Sequence, residues 1–177
     1  MRRLAIALAL LLPGALAAQG SSQASSHGAS HNAAHSTGLS ADQAAAYAVI
    51  TKLFDGMRTR DTASMRAAFV NGASLQSVSA NGVRNDAIDA WIGSIASAPA
   101  GLVLDERLGT PVVQVSGDLA SVWVEYWFFA GERFSHCGVD AFVLAKQAGA
   151  WRILSVADTR KREGCAPAPA AAATPDR

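Results

Sequence analysis

The sequence predicts an α+β domain whose helices precede a long antiparallel meander of strands. Between residues 102 and 160, four apolar-rich runs are separated by short turn signals at residues 117–118, 131–132 and 148–149. This is the pattern of consecutive strands joined by tight turns. The first half carries helical spacing and helix caps instead. A chain of this length has few ways to bury both groups of elements, so we expect the helices to pack on the sheet.

The first 18 residues match a secretory signal peptide. Arg2 and Arg3 precede an apolar run at residues 4–12, and small residues follow at positions 15, 17 and 18. The run is too short to span a bilayer, which needs about 20 apolar residues. We therefore expect a periplasmic or secreted protein without a membrane span.

Low-complexity segments flank one central domain. Residues 19–39 are nearly all Ser, Ala, Gly, His and Asn, and residues 164–177 are rich in Ala and Pro. Neither segment has an apolar period that could form a core, so we predict a flexible linker and a disordered tail. Residues 40–163 remain, which is a usual size for one domain.

Three histidines in the linker, His27, His31 and His35, repeat every four residues. On a helix this spacing would place them on one face, where they could capture a metal ion. The surrounding Gly, Ser and Asn residues oppose a helix, and a structural site would normally need a fourth ligand. We favour a solvated linker and expect no metal site.

Charge and motifs exclude several classes of function. The formal net charge is only +1, and the one basic cluster, residues 160–162, follows the last predicted strand. Such a cluster is typical of a solvated strand end, so we expect no nucleic-acid partner. The chain has no phosphate-binding Gly loop, Cys-x-x-Cys pair, nucleophile elbow or His-Glu-x-x-His helix. We therefore expect no cofactor.

The two cysteines, Cys137 and Cys165, are predicted to form a disulfide because an exported protein meets an oxidising compartment. A regular hairpin around residues 148–149 would place Cys137 opposite Arg160. The chain must then hook back for Cys165 to reach it, and Gly164 would help that turn. The alternative is two separate thiols, one buried and one in the tail.

Helical spacing identifies the first helix. Ser40 and Gln43 form a capping-box pattern that satisfies free amides at a helix start. Apolar side chains then follow at helical spacing, at Tyr47, Ile50, Phe54 and Met57. This face is predicted to be core, and the hydroxyl of Tyr47 makes it a candidate pocket residue.

Two further helices enclose a short strand region. Asp61 or Thr62 is predicted to cap a short second helix. Residues 74–83 alternate around an Asn-Gly turn, as a strand and turn would. A third helix from about residue 86 carries an apolar stripe that should face the sheet, formed by Ile88, Trp91, Ile92 and Ile95.

The run at residues 122–129 has bulky groups at alternating positions of both faces. We expect this strand to be covered on both sides, by helices on one and by a partner subunit or the curved sheet edge on the other. A homodimer is therefore predicted. Glu125 lies inside the run, and a buried carboxylate must be paired or protonated. It either lines a cavity or marks the wetter face of the sheet.

The order of elements resembles the nuclear transport factor 2-like (NTF2-like) superfamily of cone-shaped α+β domains, including its SnoaL-like and lumazine-binding-protein-like branches. The resemblance covers about residues 40–163. It is carried most clearly by residues 53–61, 134–144 and 151–160. It implies a curved sheet that wraps the helices around a conical, mostly apolar pocket. Enzymes of this superfamily place an Asp or an Asp/His pair there as general base, whereas many relatives only bind ligands or partners.

Candidate polar groups lie on the last two strands. His136 and Asp140 share a strand face and are separated by roughly 13 Å of strand rise. In a regular hairpin, Asp158 and Arg160 would project from the opposite face, near Cys137. A slip of one residue would exchange those faces, so either pair could enter the cavity.

Three functions remain open. We favour a noncatalytic pocket that binds a small apolar or aromatic molecule. Its candidate residues are Tyr47, Trp91, Glu125, Tyr126, Trp127, His136, Asp140, Phe142 and Asp158. The second is a lyase or isomerase of the dehydratase, ketosteroid isomerase or polyketide cyclase type, with His136, Asp140 or Asp158 as general base. The third is a structural dimerisation module. In the structural interpretation, these polar groups only tether amides and form ion pairs.

Overall fold

The structure, a computed structural model, describes residues 38–171. This part of the chain contains three helices and seven strands. They are α1 (Ala41–Thr59), α2 (Thr62–Ala67), β1 (Phe69–Ser79), β2 (Gly82–Asp86), α3 (Ile88–Ala96), β3 (Leu104–Leu108), β4 (Val112–Ser116), β5 (Leu119–Ala130), β6 (Arg133–Gln147) and β7 (Ala150–Thr159). The predicted α+β fold is confirmed.

Side-chain caps set the starts of the first two helices. The Ser40 hydroxyl accepts from the Gln43 amide at 3.3 Å, and the Gln43 side chain accepts from the Ser40 amide at 2.8 Å. The predicted capping box is thus present. Of the two predicted caps for α2, Asp61 is the one used, and its carboxylate accepts from the Ser64 amide at 2.9 Å. This helix ends at Ala67, and Phe69 already begins β1.

The strands form one curved sheet in the order β2-β1-β7-β6-β5-β3, and β4 also pairs with β5. Every pairing is antiparallel except that of β1 with β7. The three predicted meander turns are confirmed. The first predicted run is instead divided into β3 and β4, because Pro111 supplies no amide to the ladder and Gly109 donates its amide to the Glu125 carbonyl at 2.8 Å.

A bulge in the last hairpin overturns the regular register expected above. Leu144 pairs with Ile153 but Val143 pairs with Ser155, so Leu154 is an extra residue in β7. Cys137 therefore lies opposite Lys161 rather than Arg160. Since side chains alternate between faces, this one-residue shift turns Asp158 and the residues after it to the other face.

The helices pack on the inner, concave face of the sheet. Ile50, Leu53 and Phe54 of α1 and Ile92 of α3 are buried there. The rings of Phe54 and Phe142 meet edge to face with their centroids 6.3 Å apart. Burial of these apolar side chains is the main stabilising contribution to the fold. The polar groups of the inner face lie together at one end of it.

The outer face of β5 is only partly covered, which corrects the expectation of burial on both sides. Trp123 is 55% exposed and Glu125 is exposed, whereas Val122 and Val124, which alternate with them, are buried. This is the ordinary alternation of a strand with one solvated face. Glu125 therefore marks the wetter face, and does not line the inner cavity.

The chain after β7 lies against the outer face farther along β5. Cys137 and Cys165 form the predicted disulfide, with their Cα atoms 6.1 Å apart. Trp127 donates its indole N–H to the Ala166 carbonyl at 2.7 Å, and Arg107 donates to the Pro169 carbonyl at 3.4 Å. We predicted a disordered tail from residue 164. Residues 164–171 instead have no regular secondary structure but make these ordered contacts.

Candidate functional site

A cavity of about 50 Å³ lies between the concave face of the sheet and the helices. Its walls combine apolar side chains at one end with carboxyl, hydroxyl, imidazole and guanidinium groups at the other. The lining residues are Leu53, Phe54, Phe69, Leu75, Trp91, Glu106, Tyr126, His136, Asp140, Phe142, Val156, Asp158 and Arg160.

Strand register brings the polar groups together. Asp140 on β6 pairs directly with Asp158 on β7, since the bulge has turned Asp158 inward. On the other side of the cavity, Glu106 on β3 and His136 on β6 both lie opposite Phe128 of β5. Four strands thus contribute to one polar end, although its residues are far apart in the sequence.

Glu106 and Asp140 form a hydrogen-bonded pair of carboxyl groups. Two carboxylates cannot hydrogen bond without a proton, so the pair holds at least one. Burial, followed by the negative charge of Asp140, raises the pKa of Glu106 well above its ordinary range. Burial is also the main reason why the pKa of Asp140 rises to about 7, and the nearby Asp158 adds to it. The pair can therefore gain or lose a proton near neutral pH.

Asp158 is held by an ion pair and a tyrosine. Its Oδ2 accepts from Arg160 Nε at 2.5 Å and lies 3.4 Å from the hydroxyl of Tyr126. That hydroxyl donates to the Thr159 carbonyl at 2.9 Å. Asp158 Oδ1 is buried and has no hydrogen-bond partner among residues 38–171. Asp158 thus lines the cavity with a carboxylate group that has one oxygen without a hydrogen bond.

Gly138 makes room for Tyr126. A Cβ atom at position 138 would lie 1.8 Å from the Thr159 carbonyl oxygen and 2.9 Å from a ring carbon of Tyr126. No side chain fits there, which is why the tyrosine hydroxyl can reach across β6 to β7. The absence of a Cβ at this position is a requirement of the site.

His136 lies between the polar end and the aromatic wall. Its ring centroid is 5.7 Å from that of Tyr126 and 5.1 Å from that of Phe128, and its Nδ1 is 3.0 Å from the Ser135 hydroxyl. Burial, followed by the positive charge of Arg160, lowers the pKa of His136. The imidazole is therefore neutral at neutral pH, so one of its nitrogens donates a hydrogen bond and the other accepts one.

A wider space of about 430 Å³, the outer chamber, adjoins the inner cavity and shares part of its wall. The shared residues are Trp91, Glu106, His136 and Arg160, and the rest of the wall comes from Met57, Arg84, Asp86, Ala87, Ala90, Ser94, Ile95, Leu104 and Phe128. A volume of this size is in the range of small-molecule sites. The inner cavity alone has room only for a small group.

Most of the predicted pocket residues line the inner cavity. These are Trp91, Tyr126, His136, Asp140, Phe142 and Asp158. Tyr47 lies in a separate groove beside Thr51 and Arg58. Glu125 and Trp127 lie on the outer face of β5, where they border a different groove near residue 166. The last two were wrongly placed because the run at 122–129 is aromatic on both faces, so composition alone did not distinguish them.

Sequence analysis did not identify Glu106, which forms a carboxyl cluster with Asp140 and Asp158. A signal for it exists, because Leu104, Glu106 and Leu108 alternate on β3 and so place the carboxylate in the middle of an otherwise apolar inward face. In a regular hairpin Arg160 would lie on the face opposite to His136 and Asp140, and the sequence left open which pair enters the cavity; because of the bulge, Arg160 lines the cavity together with them.

Within residues 38–171, no group of His, Cys, Asp and Glu side chains is arranged to hold a metal ion. His27, His31 and His35 lie outside the described residues. In the described part of the chain, none of the helices has the length and apolar character needed to cross a membrane.

The curved sheet, the packed helices and the cone-shaped cavity between them define this protein as an NTF2-like domain. A family model described as "Putative lumazine-binding" matches residues 41–157, which is more than half of the chain. The protein belongs to that family, and its predicted membership of the NTF2-like superfamily is confirmed. Among curated proteins, no match was found.

Solved structures share the fold. An NTF2-like protein of unknown function from Silicibacter pomeroyi is 24% identical, has a TM-score of 0.54 and aligns over 67% of this chain and 94% of its own. An NTF2-like protein from Shewanella baltica is 18% identical, with a TM-score of 0.55 and coverage of 71% and 100%. A protein described as "a putative dehydratase from the NTF2-like family", from Streptomyces avermitilis, is 16% identical, with a TM-score of 0.54 and coverage of 68% and 96%. At these identities the likeness shows the fold alone.

Proposed function

We propose that this domain binds a small apolar or aromatic molecule in the cone, the space formed by the inner cavity and the outer chamber, and does not transform it. The observation that carries the proposal is a cavity with an aromatic wall at one end and unpaired polar atoms at the other. This combination, a mostly apolar surface with a few convergent polar groups, is the usual composition of a ligand site. Membership of a family described as lumazine-binding supports a pocket for a small molecule.

The two chambers suggest how a ligand would lie. The outer chamber has the volume for a ring system, next to the indole of Trp91 and the ring of Phe128. The inner cavity of about 50 Å³ would take a small polar substituent, since each water-sized group needs about 10–15 Å³ by this measure. The ligand would then bury its apolar body and satisfy the carboxyl cluster with one end.

Ala90→Phe tests where the ligand binds. Ala90 is exposed on α3 and lines the outer chamber, so a phenyl ring there would block the chamber without entering the core. Ala96→Phe is the matched control, because Ala96 is exposed on the same helix. In a thermal-shift screen of small aromatic compounds, we expect hits with the natural chain and with Ala96→Phe, and their loss with Ala90→Phe. Hits that survive in Ala90→Phe would contradict binding in the cone.

A second candidate function is a lyase or isomerase with Asp140 as general base. The observation that favours it is the burial of Asp140 at the cavity wall, which raises the pKa of its carboxyl to about 7 and suits a group that must accept and return a proton at neutral pH. Asp140 would remove a proton from a carbon next to a carbonyl, and the electron pair would move to the carbonyl oxygen. The protonated carboxyl of Glu106 would donate a hydrogen bond to that oxygen. The same proton, returned to a different carbon, would complete an isomerisation.

Deuterium exchange separates the two functions. For any compound that binds, a base at Asp140 predicts exchange of an acidic C–H in D₂O that is accelerated by the natural chain and not by Asp140→Asn. Binding without accelerated exchange or product formation supports the noncatalytic pocket. An open cavity of this kind favours either function over a module used only for dimerisation.

We also propose that the protein is a homodimer. Three large apolar side chains remain exposed on one face of β4 and β5 in the described monomer: Val112, Leu119 and Trp123. Val112 and Trp123 are direct cross-strand partners. An exposed apolar patch on a sheet face is commonly an interaction surface.

Export is a further part of the proposal. We propose that residues 1–18 are a cleaved signal peptide, that residues 19–39 are a linker, and that residues 40–163 form the domain in the periplasm or outside the cell. The disulfide between Cys137 and Cys165 supports this location, because such bonds persist in oxidising compartments. N-terminal sequencing of the protein from its host should begin near residue 19, whereas an intact Met1 would contradict export.

A further inference from the structure

The polar end of the cavity contains more acceptors than donors. Glu106, Asp140 and Asp158 all line it, and Arg160 is the only guanidinium among the lining residues in the described part of the chain. Asp140 is 4% exposed and Asp158 is 5% exposed. Buried carboxylates require hydrogen-bond donors or protons, so the balance of donors decides what this end can bind.

The protein's own donors leave this balance incomplete. The proton shared by Glu106 and Asp140 makes one hydrogen bond between them. Arg160 donates to Oδ2 of Asp158, and the Tyr126 hydroxyl is directed to the Thr159 carbonyl. Asp158 Oδ1 still has no donor within residues 38–171. An unsatisfied buried acceptor of this kind is costly unless a ligand supplies the donor.

The net charge of the polar end also favours a ligand that supplies a donor and a positive charge. When Glu106 and Asp140 hold one proton between them, the three carboxyl groups carry two negative charges, and the ion pair of Asp158 with Arg160 offsets one of them. His136 adds no positive charge at neutral pH, because burial lowers its pKa. In the adjoining chamber, Arg84 is paired with Asp86 at 2.9 Å. One negative charge therefore remains at the polar end.

We propose that the inner cavity recognises a protonated nitrogen, an amine or an amidine, carried on the apolar ligand. This inference rests on the proposed function and specifies its ligand. A cationic N–H group would donate a hydrogen bond to Asp158 Oδ1. It would also supply the positive charge that the carboxyl cluster lacks. An ammonium group also fits the small inner volume. A metal ion is a poorer occupant, since these side chains are not arranged as a metal site.

The test uses matched probes that differ only in the polar group. Benzylamine, benzyl alcohol and benzoate share one ring, and the analogous cyclohexyl and naphthyl triads vary the body. Dissociation constants are measured by calorimetry or NMR with the natural chain. We expect each amine to bind at least about tenfold more tightly than its alcohol, since hydrogen bonds between charged partners are roughly twice as strong as neutral ones. The carboxylates should bind least.

Two variants locate the effect. Asp158→Asn removes the charge next to the unpaired oxygen, and it should abolish most of the preference for amine over alcohol. Glu125→Gln is the matched control on the outer face and should leave the preference unchanged. If Asp158→Asn does not fold, the comparison of probes on the natural chain still decides the question.

The outcomes separate this inference from the proposed function. If alcohols or carboxylates bind as tightly as the amines, the cation preference is wrong but the pocket remains. If no probe of any triad binds, both are contradicted. An amine preference that persists unchanged in Asp158→Asn and Asp140→Asn would place the site elsewhere and overturn the inference.

Discussion

Asp140 shows how burial changes the chemistry of one residue. Its carboxyl has an ordinary pKa of 3.8, which burial and the neighbouring Asp158 raise to about 7. Between these two values the folded protein binds more protons at this position than the unfolded chain does. The free energy of unfolding that this residue contributes must then fall as pH rises from 4 to 7. Ionising Asp140 is therefore a cost that the fold bears near neutral pH.

Asp140→Asn should remove that cost. The variant cannot ionise, so its free energy of unfolding relative to the natural chain should increase between pH 4 and pH 7. The increase should be on the order of 4 kcal/mol at most, the equivalent of a shift of about three pH units. Urea unfolding of both proteins across this pH range measures it, with Glu125→Gln as the exposed control. A difference that is independent of pH would contradict the raised pKa.

Gly138→Ala tests the close approach that positions Tyr126. The new methyl group would overlap the Thr159 carbonyl and the tyrosine ring, so the free energy of unfolding should fall by at least about 2–3 kcal/mol. Gly93→Ala is the control, since nothing lies within 4 Å of a Cβ there and the site is helical. That substitution should raise stability by about 0.5–1 kcal/mol. Similar effects of the two substitutions in chemical denaturation would exclude the proposed role of Gly138.

The bulge in β7 determines the composition of the site. A regular hairpin would direct Asp158 to the outer face, and the polar end would lose one of its three carboxyl groups. The sequence contains a sign of the bulge. The buried residues Trp151 and Ile153 alternate in one phase, and Val156 and Asp158 alternate in the other. The change of phase occurs at Leu154 and Ser155.

The segment after β7 makes a testable contribution to stability. Its disulfide closes a loop with a sequence separation of 28 residues, and in the chain-entropy model such a loop stabilises a fold by roughly 3–4 kcal/mol. Cys165→Ser should lower the free energy of unfolding by about that amount and expose the indole of Trp127. Chemical denaturation and tryptophan quenching by acrylamide measure the two effects, and reduction of the natural chain should reproduce both. Unchanged quenching would mean that Trp127 is covered without the disulfide.

Across the molecule, local patterns were easier to predict from the sequence than long-range contacts were. Caps, the three turns and the amphipathic faces of α1 and α3 depend on neighbouring residues, and each was predicted from them. The composition of the site depends on which strand faces meet. The phase change at Leu154 and the contact of residues 164–171 with the outer face depend on tertiary contacts, which local patterns do not predict. For the same reason Glu125 and Trp127 were predicted on the wrong face of the sheet, and Glu106 was not identified.

The exposed patch on β4 and β5 predicts the oligomeric state. Trp123→Glu places a charge in the centre of the patch and should convert the proposed dimer to a monomer, since an unpaired charge is costly in an apolar interface. Val83→Glu, at an exposed apolar position of β2 at the other edge of the sheet, is a control for added charge. Sedimentation velocity distinguishes the species. A natural chain that sediments as a monomer, or an unaffected dimer in Trp123→Glu, would contradict an interface at this patch.

Carboxyl-detected ¹³C NMR can show whether the cone binds a small molecule at its carboxyl cluster. The protein labelled at Asp and Glu is titrated with whichever small aromatic compound stabilises it most. We expect saturable shifts at Glu106, Asp140 and Asp158, and no change at Glu125 on the outer face. Saturable shifts confined to surface carboxyl groups, with the cluster unchanged, would contradict it.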